Sequence, residues 1–548
     1  MLRRDFLSAS SLTLGFSAAG VGSAAPLLAA RSLLDYGAVP DGKTLNTKAI
    51  QRAIDTVFRA GGGVVHAPPG IFLTGGIELK SRVTLYLEAG CVLLGSPSIR
   101  DYTYHPGPPR QLSDANGHHL IFAQNAEDVT ICGPGTIDGQ GQAYWQHNAD
   151  HGPVPPDRAY RDVASGHYHP IGNNDRPSPM VEIAQCRNVR ISGVKLKNSA
   201  GWTLRPIACD GVVIDGIRVR NPFWGSNTDG MDITACRNVF VSNCDIIGGD
   251  DGICLKSENP YGSDVPVSKN ITITNCVVSS ASNGFKMGTA THGAFENIVF
   301  SNSVIYSDNG SPMMNRVIGG INVEMVDGGS VDGVVISNIR IQNARAPIFV
   351  RLGQRTKGSG TFLRNVLIES VDAVGAIVTS SITGVPGLRP TDITVSDCRI
   401  RTVAQGPADW VHRDIPEVID RYPESWMMGR LPAYGFYVRH ADRVRLRNIE
   451  VIADKPDFRP AVVCDDVNDL ILAGLELSAP AGGAPVFDLR NTRRAFLTGM
   501  RAPVGSSVFA QVSGVDSADI RLVGNSLEHD QQAVSYAGGA TEDATKLD

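Results

Sequence analysis

Charge, aromatic side chains and metal-binding patterns are all scarce in this sequence. Only 19% of its 548 residues are charged and 6% are aromatic. A net charge of −5 argues against the basic face that non-specific nucleic-acid binding needs, although a local basic patch for an acidic sugar stays compatible with it. There is no C-x-x-C pair and no cysteine–histidine cluster at zinc spacing, so neither a structural metal nor a cofactor is expected. Most of the ten cysteines lie in strand-like stretches, where they read as small apolar core residues and not as bridges. Past the N-terminus no apolar run reaches the roughly 18 residues of a membrane-spanning helix. What the chain has in quantity is glycine, 59 of them, which points to a turn-rich β protein.

The N-terminus reads as a targeting segment. Arg3-Arg4-Asp5-Phe6-Leu7 is a twin-arginine pattern, and a weakly apolar stretch rich in Ala, Gly and Ser follows it to residue 30. Residues 1–30 are therefore expected to be a signal peptide, and the mature chain to act in the periplasm or outside the cell, free of the membrane. A membrane anchor is the alternative, disfavoured by the glycines and serines that dilute the stretch. Next comes a helical pattern over residues 46–58, with Ile50, Ala53, Ile54 and Val57 on one face, stopped by Gly61-Gly62-Gly63. Strands are expected at 64–67 and 71–74. A short amphipathic helix there can cap the open end of a stack of strands.

The remainder repeats one phrase. Asn270-Ile271-Thr272-Ile273-Thr274-Asn275-Cys276-Val277-Val278 shows it fully, and related phrases open at Asn188, Gly211, Asn238, Asn297, Gly333 and Asn365. Echoes follow at Asp392, Arg443 and Asp469. The first seven starts are spaced by 23, 27, 32, 27, 36 and 32 residues. Each phrase alternates apolar and polar residues, turns at Gly, Asn or Ser, and alternates again, which predicts two short strands around a corner. One such unit cannot bury its apolar face alone, but stacked units share a continuous core. Unequal steps fit loops of variable length on one side. The expected fold is an all-β, single-stranded, right-handed parallel β-helix with a short N-terminal capping helix. It spans residues 31–530, with a long insertion at 382–440 and a flexible tail at 531–548. Propellers and sandwiches lack this spacing.

Three segments crowd polar residues where a strand should be bland. They are Ser226-Asn227-Thr228-Asp229-Gly230-Met231-Asp232, Gly248-Gly249-Asp250-Asp251-Gly252 and Ser282-Asn283-Gly284-Phe285-Lys286. Asp229 and Asp250 are 21 residues apart, close to one coil. Coils stack at about 4.8 Å, so Asp229 should lie beside Asp250 or Asp251. Like charges so close repel by about 3–4 kcal/mol per pair at an effective dielectric near 20, so one member should keep its proton. A protonated acid beside an ionised base is the equipment that breaks a glycosidic bond. Each Asp-Gly motif alone is an ordinary turn; two of them one coil apart are a candidate site.

Here the sequence resembles glycoside hydrolase family 28, the polygalacturonase-like pectin hydrolases, over most of residues 34 to 343. The matching motifs are Asp35-Tyr36-Gly37-Ala38, Gly133-Pro134-Gly135-Thr136-Ile137-Asp138-Gly139, Asn227-Thr228-Asp229-Gly230 and Gly249-Asp250-Asp251. The resemblance implies a pectin-lyase-like solenoid that hydrolyses a pectic poly- or oligosaccharide. It makes Asp250 the general acid, with Asp229 and Asp251 holding and deprotonating the attacking water to invert the anomeric carbon. Inverting enzymes usually space acid and base by about 6.5–9.5 Å, more than neighbouring coils naturally give.

Two family motifs are altered. The usual Gly-His-Gly aligns on Ser282-Asn283-Gly284, and the Arg-Ile-Lys that grips a galacturonate carboxylate aligns on Asn322-Val323-Glu324. Glu324 is expected to repel that carboxylate. The sugar there should therefore be neutral, as rhamnose in rhamnogalacturonan is, or be held by other cations. Lys256, Lys286, Arg205 and Arg316 are the candidates, Lys286 first because by the resemblance it replaces a small polar residue near Asn283. With Asn227, Asn283 and Glu324, the residues Lys286, Arg205 and Lys256 make up the expected substrate-binding set.

The 382–440 segment holds Trp410, His412, Tyr422, Glu424, Trp426, Tyr434, Tyr437 and His440, either as sugar platforms or as a loop's own core. If it walls off one end of a cleft, the enzyme trims chain ends. Rival readings are a β-helix polysaccharide lyase, which needs calcium-binding acids and a basic Arg or Lys, and a non-catalytic carbohydrate-binding β-helix. The chain is expected to act as a monomer without nucleic-acid partners.

Overall fold

The computed structural model describes residues 30–105, 117–147, 168–170, 175–225, 227–262, 266–307, 317–358 and 360–547. The expected signal segment to residue 29, Ser226 and Arg316 lie outside them. The chain winds into a parallel β-helix, nearly every strand pairing in parallel with the equivalent strand one coil away. Helix α1, Thr47–Arg59, lies at the first coils with Ala49, Ile50, Ala53, Ile54 and Val57 buried, one residue displaced from its expected bounds. It stops because Gly61, Gly62 and Gly63 take positive φ. At Gly62 a Cβ would lie 2.6 Å from the Arg82 carbonyl oxygen, so only glycine lets the chain turn against that strand.

The repeated phrase maps onto coil geometry residue by residue. Asn188, Gly211, Asn238, Asn270, Asn297, Gly333, Asn365, Asp392, Arg443 and Asp469 all have positive φ. Asn and Gly reach the left-handed region at least cost, which is why they open the phrase. Asn270 donates to the Asn238 side chain at 3.1 Å and Asn297 donates to Asn270 at 3.1 Å, a ladder up the corner. One residue further in, Val189, Val212, Val239, Ile271, Ile298, Val334, Val366, Ile393 and Val444 stand in register and are buried. That continuous aliphatic column is the core that no single coil could form.

The phrase covers only two of the three strands in each coil, for example Arg187–Ser192 and Lys195–Lys197. The third, Val181–Ala184 in that coil, has no recurring sequence. Its equivalents Met231–Thr234, Ile253–Lys256, Asn283–Met287, Val317–Met325 and Ala344–Leu352 are buried on both faces. Their inward side chains join the core, and Phe349 on the outer face is packed under residues 415–433.

The expected flexible tail is a correction. Gln532–Ala537 pairs with Val508–Ser513, and Thr545–Leu547 pairs with Ala518–Val523, so residues 531–547 form a last coil. Val534 and Ala544 suffice to close the core there, too few apolar residues to stand out in a polar stretch. All ten cysteines are unbridged and all but Cys132 are buried. No helix among the described residues is long and apolar enough to cross a membrane.

Candidate active site

The polar segments meet on the third sheet. Met231 pairs with Ile253 and Ile253 with Phe285, which stacks the turns before these strands. One carboxylate oxygen from each of Asp229, Asp250 and Asp251 lies within 4.8 Å of the others. Coil stacking brings Asp229 beside the Asp250–Asp251 pair, as the sequence implies.

The three acids have unlike surroundings. Asp229 is buried, its Oδ1 has no hydrogen-bond partner, and burial together with Asp232, Asp250 and Asp251 holds its pKa well above the usual range. Asp250 is partly exposed and accepts hydrogen bonds from the backbone N–H of Asn227 at 3.1 Å and of Asp251 at 2.9 Å. Burial and the neighbouring Asp251 push it up to about 6. Asp251 goes the other way. Burial alone would raise it, but Lys286, Lys256 and the Asn283 amide outweigh burial and lower it. Lys286 Nζ stands 3.1 Å from Asp251 Oδ2, and Asn283 Nδ2 donates to Oδ1 at 2.8 Å. The site therefore offers an ionised carboxylate beside two carboxyl groups that hold protons more tightly.

Asn283 is thus a clamp on Asp251. Asn322 continues the chain, donating to Asn283 Oδ1 at 2.9 Å and to Glu324 Oε1 at 3.0 Å. Asn227 reaches the site through its backbone.

Three substrate-binding expectations need correction. Glu324 is wholly buried, and burial pushes its pKa up to about 8, which weakens the expected repulsion of an anion. Arg205 is buried and donates to Glu182 Oε2 from Nε at 3.0 Å and Nη2 at 2.5 Å. Lys256 is buried 3.7 Å from Asp232. The Trp202 ring carries both cations, Lys256 Nζ at 5.0 Å and Arg205 at 5.2 Å from its centre. Each is matched to a carboxylate of its own sheet because a solitary charge under these loops would be costly.

Sequence reading left Asp232 and Glu182 out of the site. Asp232 was visible in the first polar segment. Glu182 had no motif to mark it; only the register aligning it with Arg205 brings it in.

Of the expected 382–440 insertion, Thr391–Thr402 is an ordinary coil strand and the next strand opens at Phe436, so the loop proper runs over 403–435, and part of it forms a core of its own. Ile415, Met428, Leu431 and Ala433 pack on Phe349, Tyr437 and Val463 as a small separate core on the outer face of the third sheet. Arg351 fastens this loop by donating to the carbonyls of Glu417 at 2.8 Å and Val418 at 3.2 Å. From it Tyr422 and Glu424 extend to the catalytic coil, where the Tyr422 hydroxyl is 3.2 Å from Lys286 Nζ and Glu424 Oε1 is 3.9 Å from it. The face is walled on the C-terminal side, immediately beyond the acids.

Comparison with known proteins agrees with this geometry. Residues 109–406 match the model of glycosyl hydrolases family 28, and residues 30–148 match that of rhamnogalacturonase A/epimerase, pectate lyase-like. A probable polygalacturonase of Vitis vinifera is 34% identical over 235 residues, 41% of this chain and 44% of that protein. An exo-poly-alpha-D-galacturonosidase of Dickeya chrysanthemi is 29% identical over 252 residues, 40% of this chain and 41% of that protein. The chain thus spans less than half the length of these two relatives. Among solved structures, an exopolygalacturonase from Thermotoga maritima superposes with a TM-score of 0.57 at 23% identity, covering 77% of this chain and 91% of that one. It shares the fold. With the match running through both aspartate motifs and over more than half of the sequence, the chain belongs to glycosyl hydrolases family 28.

Proposed function

We propose that this protein is a polygalacturonase-like glycosidase that hydrolyses O-glycosyl bonds of a pectic substrate. The observation that carries the reading is the cluster of three carboxyl groups in which Asp251, and not Asp250, is held by Lys286 at 3.1 Å and by the Asn283 amide at 2.8 Å. Asp250, raised and partly exposed, protonates the leaving oxygen. Asp251, kept ionised by Lys286 and Asn283, takes the proton of the attacking water. Asp229, kept neutral by burial, helps hold that water. Attack from the face opposite the leaving group inverts the anomeric carbon, so an α-linked substrate first yields the β-anomer, which proton NMR of the nascent product checks.

Two finer features belong to the same proposal. The sugar beside the cleaved bond is neutral, as in rhamnogalacturonan, because Lys286, Lys256 and Arg205 each already face a carboxylate. The enzyme also trims chain ends, because the 403–435 loop blocks the face next to the acids. The twin-arginine pattern supports action outside the cytoplasm.

The test is product analysis on pectic polysaccharides with wild type and Asp250→Asn. The expected result is early release of short products without unsaturated-sugar absorbance, and a loss of about 10²–10⁴-fold in the variant, the usual worth of a general acid. Unsaturated products, or full activity in Asp250→Asn, would refute the assignment. Equal turnover of polygalacturonan and rhamnogalacturonan would end the neutral-sugar reading, and an early ladder of oligomers the chain-end reading.

A further inference from the structure

The family match ends at residue 406, yet the loop beyond it delivers a carboxyl group to the acid cluster. Glu424 is 8% exposed, and its Oε2 is buried without a hydrogen-bond partner. Its other oxygen lies 3.9 Å from Lys286 Nζ, the lysine that stands 3.1 Å from Asp251. An unpaired carboxyl oxygen in a covered site is unfavourable and is rarely retained without a purpose. It stands at the tip of the loop on the C-terminal side of the acids, sharing Lys286 as a neighbour with Asp251. Tyr422, two residues earlier, has its hydroxyl on Lys286 and its ring 5.0 Å from that lysine, so the loop tip is held in place.

We propose that Glu424 is a substrate-contacting residue which recognises the terminal sugar of the chain by accepting hydrogen bonds from its ring hydroxyls. A free chain end is the part of a polysaccharide with an additional hydroxyl where the next sugar would be attached. A carboxyl group at a closed wall, with one free oxygen, matches that feature. An acidic sugar edge is a poorer match, because Lys286 already faces Asp251 at 3.1 Å and Glu424 at 3.9 Å. The proposal rests on the chain-end reading above and adds the group that enforces it.

The experiment compares wild type, Glu424→Gln, Glu424→Ala and Asp250→Asn on galacturonan and rhamnogalacturonan oligosaccharides of defined length. Each is supplied intact, with a lyase-made unsaturated non-reducing end that lacks its terminal hydroxyl, and with a borohydride-reduced opposite end. Wild type is expected to prefer the intact form over one of the two modified forms by at least tenfold in kcat/KM. Glu424→Ala should lose that preference, chiefly through KM for the intact form, and Glu424→Gln should retain part of it. A wild-type preference that persists undiminished in Glu424→Ala, or no preference at either end, overturns the proposal. Should Glu424→Ala fold poorly, the ratio in Glu424→Gln decides alone. Failure of wild type to cleave any oligosaccharide would instead refute the glycosidase reading, and calorimetric binding of intact and modified ends to wild type and Glu424→Gln would then judge Glu424 separately.

Discussion

Asp250 and Asp251 are consecutive in the chain, yet their carboxyl groups are held on opposite sides of the ordinary carboxylate range. The difference comes from partners, not from residue type. Burial raises both; at Asp250 the like-charged Asp251 adds to it, against the pull of its backbone donors, whereas at Asp251 a lysine and an amide outweigh it. The pH profile follows from the signs. The acid must keep its proton, so activity should fall as pH rises through about 6, the value to which Asp250 is raised. The base must stay ionised, so activity should fall on the acid side only below the ordinary carboxylate range, where the lowered Asp251 takes up a proton. Lys286→Met removes the cation that lowers both groups, and both limbs should move to higher pH, by about 1–3 units if a full charge pair is lost. Lys286→Arg should keep both limbs near their places. Limbs unmoved in Lys286→Met would show that Lys286 does not set the protonation of the pair. The doublet and its acid–base potential were legible in the sequence. Which member is ionised was not, because Lys286 lies 35 residues further along and meets Asp251 only through coil stacking.

At the scale of the element, each strand of the repeated phrase divides its residues between core and solvent. In Val267–Thr274, Ile271 is fully buried in the aliphatic column. One coil earlier, in Arg237–Ser242, Phe240 points outward at 54% exposure. Ile271→Ala should destabilise the protein by about 2–5 kcal/mol, through lost burial and the cavity it leaves. Phe240→Ala, at a surface position, should stay within about 0.5 kcal/mol. Chemical denaturation of both variants checks the contrast, and equal effects would mean that the column is not the stabilising core. The alternation predicted these two faces correctly. It did not reveal the third strand of each coil, whose outward positions hold Arg205, Asp232, Lys286 and Asn322 in place of a simple polar–apolar pattern. Those positions answer to their neighbours on the next coils, and that information is absent from any one segment.

For the whole molecule, stability accumulates coil by coil, and each coil covers the edge of the one before. The last coil, with Gln532–Ala537 and Thr545–Leu547, covers Val508–Ser513 and Ala518–Val523. Truncation after residue 531 should uncover two unpaired strand edges and promote aggregation, while the distant catalytic coils stay folded. Light scattering alongside activity of the soluble fraction checks this; a truncated chain as soluble as wild type would show the coil to be dispensable. The sequence by itself determined the stacking of coils, because left-handed turn residues and alternating aliphatics are local requirements that recur wherever a coil turns. It also determined the aspartate cluster, because the coil length sets what stands beside what. The tertiary structure alone decided that Glu324 is buried, that Arg205 and Lys256 are already paired, and that Tyr422 and Glu424 reach Lys286. Burial and charge pairing depend on residues far apart in the chain, and only the packed fold brings them within a few ångströms.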